Sequence, residues 1–205
     1  GKDRQVTLAV LEVVYELGLP ERYLVALTAD ASGAPVEALD DDDLARELFD
    51  IIREQRTIPV GGGQLRGEFL DDGGPLREGS KSPKVRRIAT EQSNTSLVFD
   101  DKVIVKVIRK LDLGYNPEWE MGQFLRKRGF EHTPPLLGGI VLEGTVHATI
   151  AVAHAFVEVE SDGWAWTLQQ MRHAPLPAHF LEEIRKLGAC VGELHAVLAS
   201  EPDDP

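Results

Sequence analysis

Lys106 is the residue whose type and position point most directly to chemistry. It lies within the run Val103–Ile108, which predicts a strand, and strand alternation places Lys106 on one face with Ile104 and Ile108. A strand that is apolar on both faces is usually covered, so a lysine there is costly to desolvate unless an anion meets its ammonium group. Glu120 in the following helix is one candidate anion, and a bound phosphate is a second. A lysine that reaches water from a strand end, beside a surface Glu120, is the alternative, and the spacing leaves both interpretations open.

A polar hairpin is predicted one strand upstream of Lys106. After Glu91 it consists of Gln92, Ser93, Asn94, Thr95 and Ser96. Small polar side chains and exposed backbone amides at such a turn can donate hydrogen bonds to phosphate oxygens. In protein kinases a loop at this place covers the phosphates of ATP, while a strand lysine and a helix glutamate hold the α- and β-phosphates. The hairpin lacks the glycine-rich form of that loop, so an ordinary polar turn is the alternative.

Periodicity and turn signals predict the elements that must position these residues. Runs rich in β-branched residues predict strands at residues 6–15, 22–28, 85–90, 97–99, 103–108, 141–142 and 149–157, and the first two predict a hairpin. Apolar spacing predicts a helix that follows the acidic cap at residues 40–43, and another at residues 182–199. Asn116 and Pro117 predict the start of a helix that ends near Gly129. Residues 57–59 end the first helix, and the triple glycine at residues 61–63 predicts a flexible join.

Composition narrows the classes of protein to which the chain can belong. Its 205 residues carry 22 Lys and Arg against 34 Asp and Glu, and the net charge of −12 argues against binding to nucleic acid or an anionic membrane. The single cysteine, Cys190, excludes an internal disulfide and a multi-cysteine metal site. No apolar run approaches the ~18 residues of a membrane span and no signal-peptide core is visible, so a cytoplasmic protein is the default expectation. Residues 77–128, around Lys106, carry 12 basic and 7 acidic side chains, a local charge of +5.

Five short segments together resemble the bacterial maltokinases, which are related to aminoglycoside phosphotransferases and occur alone or fused to trehalose synthase. The segments are residues 91–96, 103–110, 116–120, 134–138 and 162–164, in the same order. The strand at residues 20–23 and the helix through residues 44–56 also resemble that family's N-terminal cap. The resemblance implies an α+β fold. It places the cap subdomain at residues 1–60, a protein-kinase-like N-lobe (antiparallel sheet plus one main helix) at 61–158, and the start of the C-lobe at 159–205.

The resemblance also implies roles for individual residues. Lys106 would bind the α- and β-phosphates of ATP, Glu120 would orient it, and the polar hairpin from Gln92 to Ser96 would cover the phosphates. The end of the last strand would form the hinge that meets adenine, at His154, Ala155, Phe156 and Val157. The family usually has glutamate at the position of Ala155. Because backbone groups normally pair with adenine, this departure changes the expectation little.

Two segments that the family uses for catalysis are absent from the sequence. They read His-Gly-Asp-Leu-His, which supplies the catalytic aspartate, and Asp-Phe-Glu, which supplies a metal ligand; neither occurs in the 205 residues. The resemblance therefore implies a portion truncated before the catalytic C-lobe. Such a portion would have no catalytic or metal-binding residue of its own, would be inactive alone, and would have its Mg²⁺ ligands in the missing lobe. In the intact enzyme the implied reaction is ATP + maltose to ADP + maltose 1-phosphate, within α-glucan (glycogen) biosynthesis.

Two alternatives to a maltokinase remain open. The chain could be part of a related kinase that phosphorylates an amino sugar or an aminoglycoside, because the acceptor is chosen largely by the absent half. It could also be a non-catalytic module whose cap docks a partner such as trehalose synthase. The first alternative predicts a different acceptor, and the second predicts a complex that forms whether or not nucleotide is present.

Overall fold

The computed structural model describes residues 5–70, 74–77, 80, 82–88 and 94–200. In chain order the strands are β1 (Thr7–Val13), β2 (Glu21–Ala29), β3 (Pro35–Glu37), β4 (Thr57–Val60), β5 (Gly63–Phe69), β6 (Val85–Ile88), β7 (Asn94–Phe99), β8 (Val103–Ile108), β9 (Lys110–Leu111), β10 (Leu136–Gly144) and β11 (Ala148–Ala155). The helices in this part of the chain are α1 (Asp42–Arg53), α2 (Pro117–Lys127), α3 (Gly163–Gln170) and α4 (Ala178–Leu198). The chain forms two compact units, one of residues 1–123 and 134–156, the other of residues 124–133 and 157–205.

The first unit begins with a small antiparallel sheet. Strands β1 and β2 pair in continuous register from Thr7 opposite Leu27 to Val13 opposite Glu21, which confirms the predicted hairpin. Strands β3 and β9 each pair with β2. Helix α1 follows, and the side chain of its N-cap Asp41 accepts hydrogen bonds from two backbone N–H groups of the first turn. The acidic run is therefore a helix cap, as its position before an apolar helix predicts.

A seven-stranded antiparallel sheet forms the body of the first unit, in the order β4-β5-β10-β11-β8-β7-β6. The prediction of a flexible join at the triple glycine is wrong, because Gly61 and Gly62 form the turn of the β4–β5 hairpin and Gly63 lies in β5. A Cβ atom at Gly63 would lie 2.0 Å from the carbonyl oxygen of Glu143 on the neighbouring strand. Glycine is needed there for close approach of two backbones.

Helix α1 and the first turns of α2 pack on opposite faces of this sheet. Helix α1 places Leu48, Phe49 and Ile52 in the main apolar core, which also contains alternate residues of β7 and β8. The first turns of α2 cover the other face, where buried Trp119 clusters with Leu136 and Val152. The sheet therefore has a mainly apolar side under α1 and a side under α2 whose cover is partly polar.

The second unit consists mainly of helices. Helix α3 is capped by Asp162, whose side chain accepts a hydrogen bond from the Ala165 N–H group. Helix α4 begins at Ala178, four residues before its predicted start. Its predicted apolar face, which includes Leu187 and Val191, is largely exposed. None of the helices in the described ranges is long and apolar enough to cross a membrane.

Candidate functional site

Lys106 lies in the centre of the sheet, on β8 between β7 and β11. Its cross-strand neighbours are Ser96 on β7 and Val152 on β11. The residues before and after it in the sequence, Val105 and Val107, are buried on the opposite face, in the α1 core. The lysine side chain keeps 24% of its surface exposed, so its ammonium group is shielded but can still be reached by an anion.

Among the described residues, a carboxylate that meets Lys106 belongs to Glu118. The lysine Nζ lies 3.1 Å from Glu118 Oε2 and 3.3 Å from Glu118 Oε1, an ion pair with contacts to both oxygens. The prediction that Glu120 orients Lys106 is therefore wrong in its residue, while the pairing of a strand lysine with a helix glutamate is present. Glu120 is exposed.

The start of α2 explains why Glu118 faces the sheet. The Asn116 side chain accepts a hydrogen bond from the Glu118 N–H, and the Asn116 N–H donates to the hydroxyl of Thr149, which ties the helix end to β11. Trp119 is buried against the sheet over Gly139, where a Cβ atom would lie 2.6 Å from its ring. Successive helix residues are about 100° apart, so residues 118 and 120 differ by about 200° and point to opposite sides.

His154 is the third member of the cluster and was assigned from the sequence only to the hinge. Its Nδ1 lies 3.7 Å from Glu118 Oε1, and its side chain is 16% exposed. Burial lowers the pKa of His154 from 6.5; the charge of Lys106 adds to this effect and that of Glu118 opposes it. No local signal in the sequence groups His154 with Lys106, because β11 lies beside β8 only through a pairing of residues far apart in the chain.

The structure revises the predicted phosphate-covering hairpin. Gln92 and Ser93 lie outside the described residues, while Asn94, Thr95 and Ser96 belong to β7 and not to a turn. Ser96 is buried in the ladder opposite Lys106, and Thr95 lies on the other face of the sheet. The expectation that these three residues form the covering loop is wrong, because β7 pairs with β8 as far back as Asn94. Whether any of these five residues binds phosphate stays a prediction.

The predicted hinge lies at the end of β11, whose last residue is Ala155. The Ala155 N–H donates to the carbonyl oxygen of Pro135, and the Phe156 N–H donates to that of Lys102. These two donors are therefore already engaged within the first unit. Val157 belongs to the second unit and is about half exposed. A role for Ala155, Phe156 and Val157 in binding adenine stays a prediction.

A metal site requires several ligand side chains close together. Among the described residues there is no group of three His, Cys, Asp or Glu side chains that could hold a metal ion. Glu118 is already engaged by Lys106.

Similarity to known proteins is found among the glucosamine kinases. No protein-family model matches the chain. The glucosamine kinase of Mycolicibacterium smegmatis is 26% identical over 121 residues, which cover 56% of this chain and 30% of that protein. A solved structure of a glucosamine kinase in complex with glucosamine, ADP and inorganic phosphate superposes with a TM-score of 0.63 at 21% identity, covering 96% of this chain and 47% of the other. A second structure, glucosamine kinase in crystal form A, also gives a TM-score of 0.63 at 21% identity, with 96% and 46% coverage.

These similarities revise the resemblance drawn from short segments. The chain spans less than half the length of the glucosamine kinases that it matches. The mixed α/β arrangement of antiparallel sheets and helices is similar to the corresponding part of that fold. The similarity is to a sugar kinase whose named substrate is an amino sugar. A maltokinase, a trehalose synthase partner and a role in glycogen synthesis find no support in it.

Proposed function

We propose that this chain is the nucleotide-binding portion of an ATP-dependent sugar kinase whose acceptor is an amino sugar. The observation that carries the proposal is the Lys106–Glu118 ion pair, which joins the centre of a sheet to the first turn of a helix. A lysine and glutamate so placed are the parts that kinases use to hold the α- and β-phosphates. The fold likeness to a glucosamine kinase bound to ADP supports the same role.

The geometry of the pair suits the binding of a polyanion. Glu118 fixes the end of a flexible side chain, and Lys106 remains partly exposed and able to contact a second anion. Phosphoryl transfer depends mainly on positioning and on charge stabilisation, so a lysine held in advance lowers the cost of ordering it around ATP. The surrounding segment of net positive charge adds a favourable field for a small polyanion.

The identity of the acceptor sugar is inferred from the similar proteins and not from a pocket in this chain. The matched proteins are glucosamine kinases, which favours the amino-sugar alternative over maltose. The proposal assigns only the nucleotide clamp to the described residues. It assigns neither the base for the sugar hydroxyl nor the Mg²⁺ ligands to them.

An acceptor panel with the natural full-length protein tests the proposal. ADP release from MgATP is measured with glucosamine, with maltose and with an aminoglycoside such as kanamycin, for the wild type and for Lys106→Met. Lys102→Met, an exposed lysine in the β7–β8 turn, is the matched control. We expect glucosamine to support ADP release, Lys106→Met to abolish it and Lys102→Met to preserve it.

Each other outcome has a distinct meaning. ADP release with maltose but not with glucosamine would overturn the proposed acceptor and leave the role in nucleotide binding intact. An enzyme that is active with Lys106→Met would overturn the role of the lysine. Absence of ATP binding by the full-length protein would overturn the proposal as a whole.

A further inference from the structure

Three ionisable side chains from three different elements meet at one carboxylate. Lys106 comes from β8, Glu118 from the first turn of α2, and His154 from the end of β11. Both the lysine Nζ and the histidine Nδ1 approach Glu118 Oε1, at 3.3 Å and 3.7 Å. All three side chains are partly exposed, the histidine least. The arrangement is a carboxylate placed between one permanent cation and one titratable ring.

Strand register puts His154 on the same face as Lys106. His154 lies opposite Ile104 on β8, and Ile104 is two positions from Lys106. The side chains of His154, Ile104 and Lys106 therefore lie on the same face of the sheet. On its other side His154 is opposite Leu136 of β10, which is apolar. Among the described residues, the charged groups that act on the ring are Glu118 and Lys106.

We propose that His154 is a positioning residue that couples nucleotide binding to pH, because its protonated ring shares Glu118 with Lys106 and adds a positive charge beside the phosphates. The inference rests on the proposed function, since it requires that Lys106 binds a nucleotide. With a neutral ring the cluster of lysine, glutamate and histidine has no net charge. With a protonated ring the net charge is +1, and the lysine is freer to turn toward an anion.

Linkage sets the direction of the effect. Burial holds the pKa of His154 below 6.5, so the ring is neutral in the free protein at slightly alkaline pH. A bound polyanion favours the imidazolium, and by reciprocity the imidazolium favours the polyanion. Nucleotide affinity should therefore rise as pH falls through the range in which His154 gains its proton.

The test measures the affinity of ADP for the natural full-length protein, without Mg²⁺, by isothermal titration between about pH 8 and about pH 5.5. The variant His154→Gln keeps a polar side chain of similar size but cannot gain a charge. The phosphates of ADP also titrate in this range, so the informative quantity is the ratio of wild-type to His154→Gln affinity at each pH, from which that titration cancels.

His147→Gln is the matched control. His147 immediately precedes β11, and seven residues of strand place it about 23 Å from His154 along the strand. It packs edge-on against Tyr115. Its removal should leave the pH profile of the wild type unchanged.

We expect the wild-type to His154→Gln ratio to rise by at least about threefold on acidification, the change that half a pKa unit of coupling produces. His147→Gln should follow the wild type. A ratio that stays constant, with ADP bound by both proteins, would overturn the role of His154 and leave the proposed function standing. Failure of the wild type to bind ADP at any pH would overturn the proposed function and this inference together.

Discussion

The two faces of the seven-stranded sheet use the same strands for different purposes. On the α1 face, Phe49 stacks on Phe99 with ring centroids 4.5 Å apart, inside a core from which water is excluded. On the α2 face, the same strands present Lys106 to Glu118, and the pair stays partly exposed. Because side chains alternate between the two faces of a sheet, the residues of one face can stabilise the fold while those of the other face form a binding site.

The difference between the faces is carried by single-residue alternation along β8. Val103, Val105 and Val107 are at most 1% exposed, whereas Lys106 between them is 24% exposed. A shift of one residue in register would bury the lysine among the core residues and expose the valines. The burial of these valines in the α1 core therefore fixes the register that places Lys106 at the site.

The largest expected effect is on the stability of the α1 face. Phe49→Ala should lower the free energy of unfolding by about 3–5 kcal/mol, because it leaves a cavity beside Phe99. Urea denaturation measures the change, and Met121→Ala at an exposed position of α2 is the control. ADP affinity of the folded variant should match the wild type. A loss of affinity without a loss of stability would break the division between the faces.

Gly139→Ala should affect both stability and nucleotide binding, because this residue lies under α2. The added Cβ atom would lie 2.6 Å from the ring of Trp119 and 2.5 Å from the carbonyl oxygen of Ala151. We expect a loss of about 1–3 kcal/mol in the free energy of unfolding and weaker ADP binding, since α2 carries Glu118. Gly188→Ala, whose Cβ would meet no atom within 4 Å, is the control and should be neutral or stabilising. Unchanged stability of Gly139→Ala would refute the tight packing of α2.

Acid should weaken the fold in part through His154 on the α2 face. The folded state holds the pKa of His154 below 6.5, so the unfolded chain binds the proton more readily. This contribution to stability is present above pH 6.5 and is lost as the pH falls through the lowered pKa of the folded state. Urea denaturation at a series of pH values should show a smaller acid loss for His154→Gln than for the wild type. Equal losses would show that the ring is not held neutral.

The smallest expected effect is on the pKa of His154, and it distinguishes the two glutamates in the first turn of α2. Glu118→Gln should lower the pKa of His154 further, because the charge of Glu118 is the contribution that favours the protonated ring. Glu120→Gln should leave it unchanged, since Glu120 is exposed on the other side of the helix. An NMR titration of the His154 ring protons measures both. If only Glu120→Gln shifts the pKa of His154, then Glu120, the glutamate predicted from the sequence, would be the one that acts in the cluster.

Local signals predicted much of the first unit. The hairpin of β1 and β2, the Asp41 cap of α1 and the start of α2 at Pro117 all follow from short-range chemistry, since capping and pairing involve neighbours in the sequence. The alternation of β8 correctly separated Lys106 from its buried neighbours. The strand-lysine and helix-glutamate arrangement was anticipated on the same basis.

The errors arose where distant packing decides the outcome. Pro59 and the triple glycine suggested a break, yet β4 and β5 pair there, and Gly63 lets β10 approach β5 closely. The rotation of α2 depends on Trp119 over Gly139, so spacing alone could not choose Glu118 over Glu120. The place of His154 depends on β11 lying beside β8, a pairing between residues far apart in the sequence.

The most direct test of the central claim is the affinity of ADP for Lys106→Met, measured by isothermal titration on the natural full-length protein beside the wild type and Lys102→Met. A charge-assisted contact to phosphate corresponds to a loss of at least about tenfold when the lysine is removed. The account predicts that loss for Lys106→Met and none for Lys102→Met. Equal affinity of the wild type and Lys106→Met would contradict it.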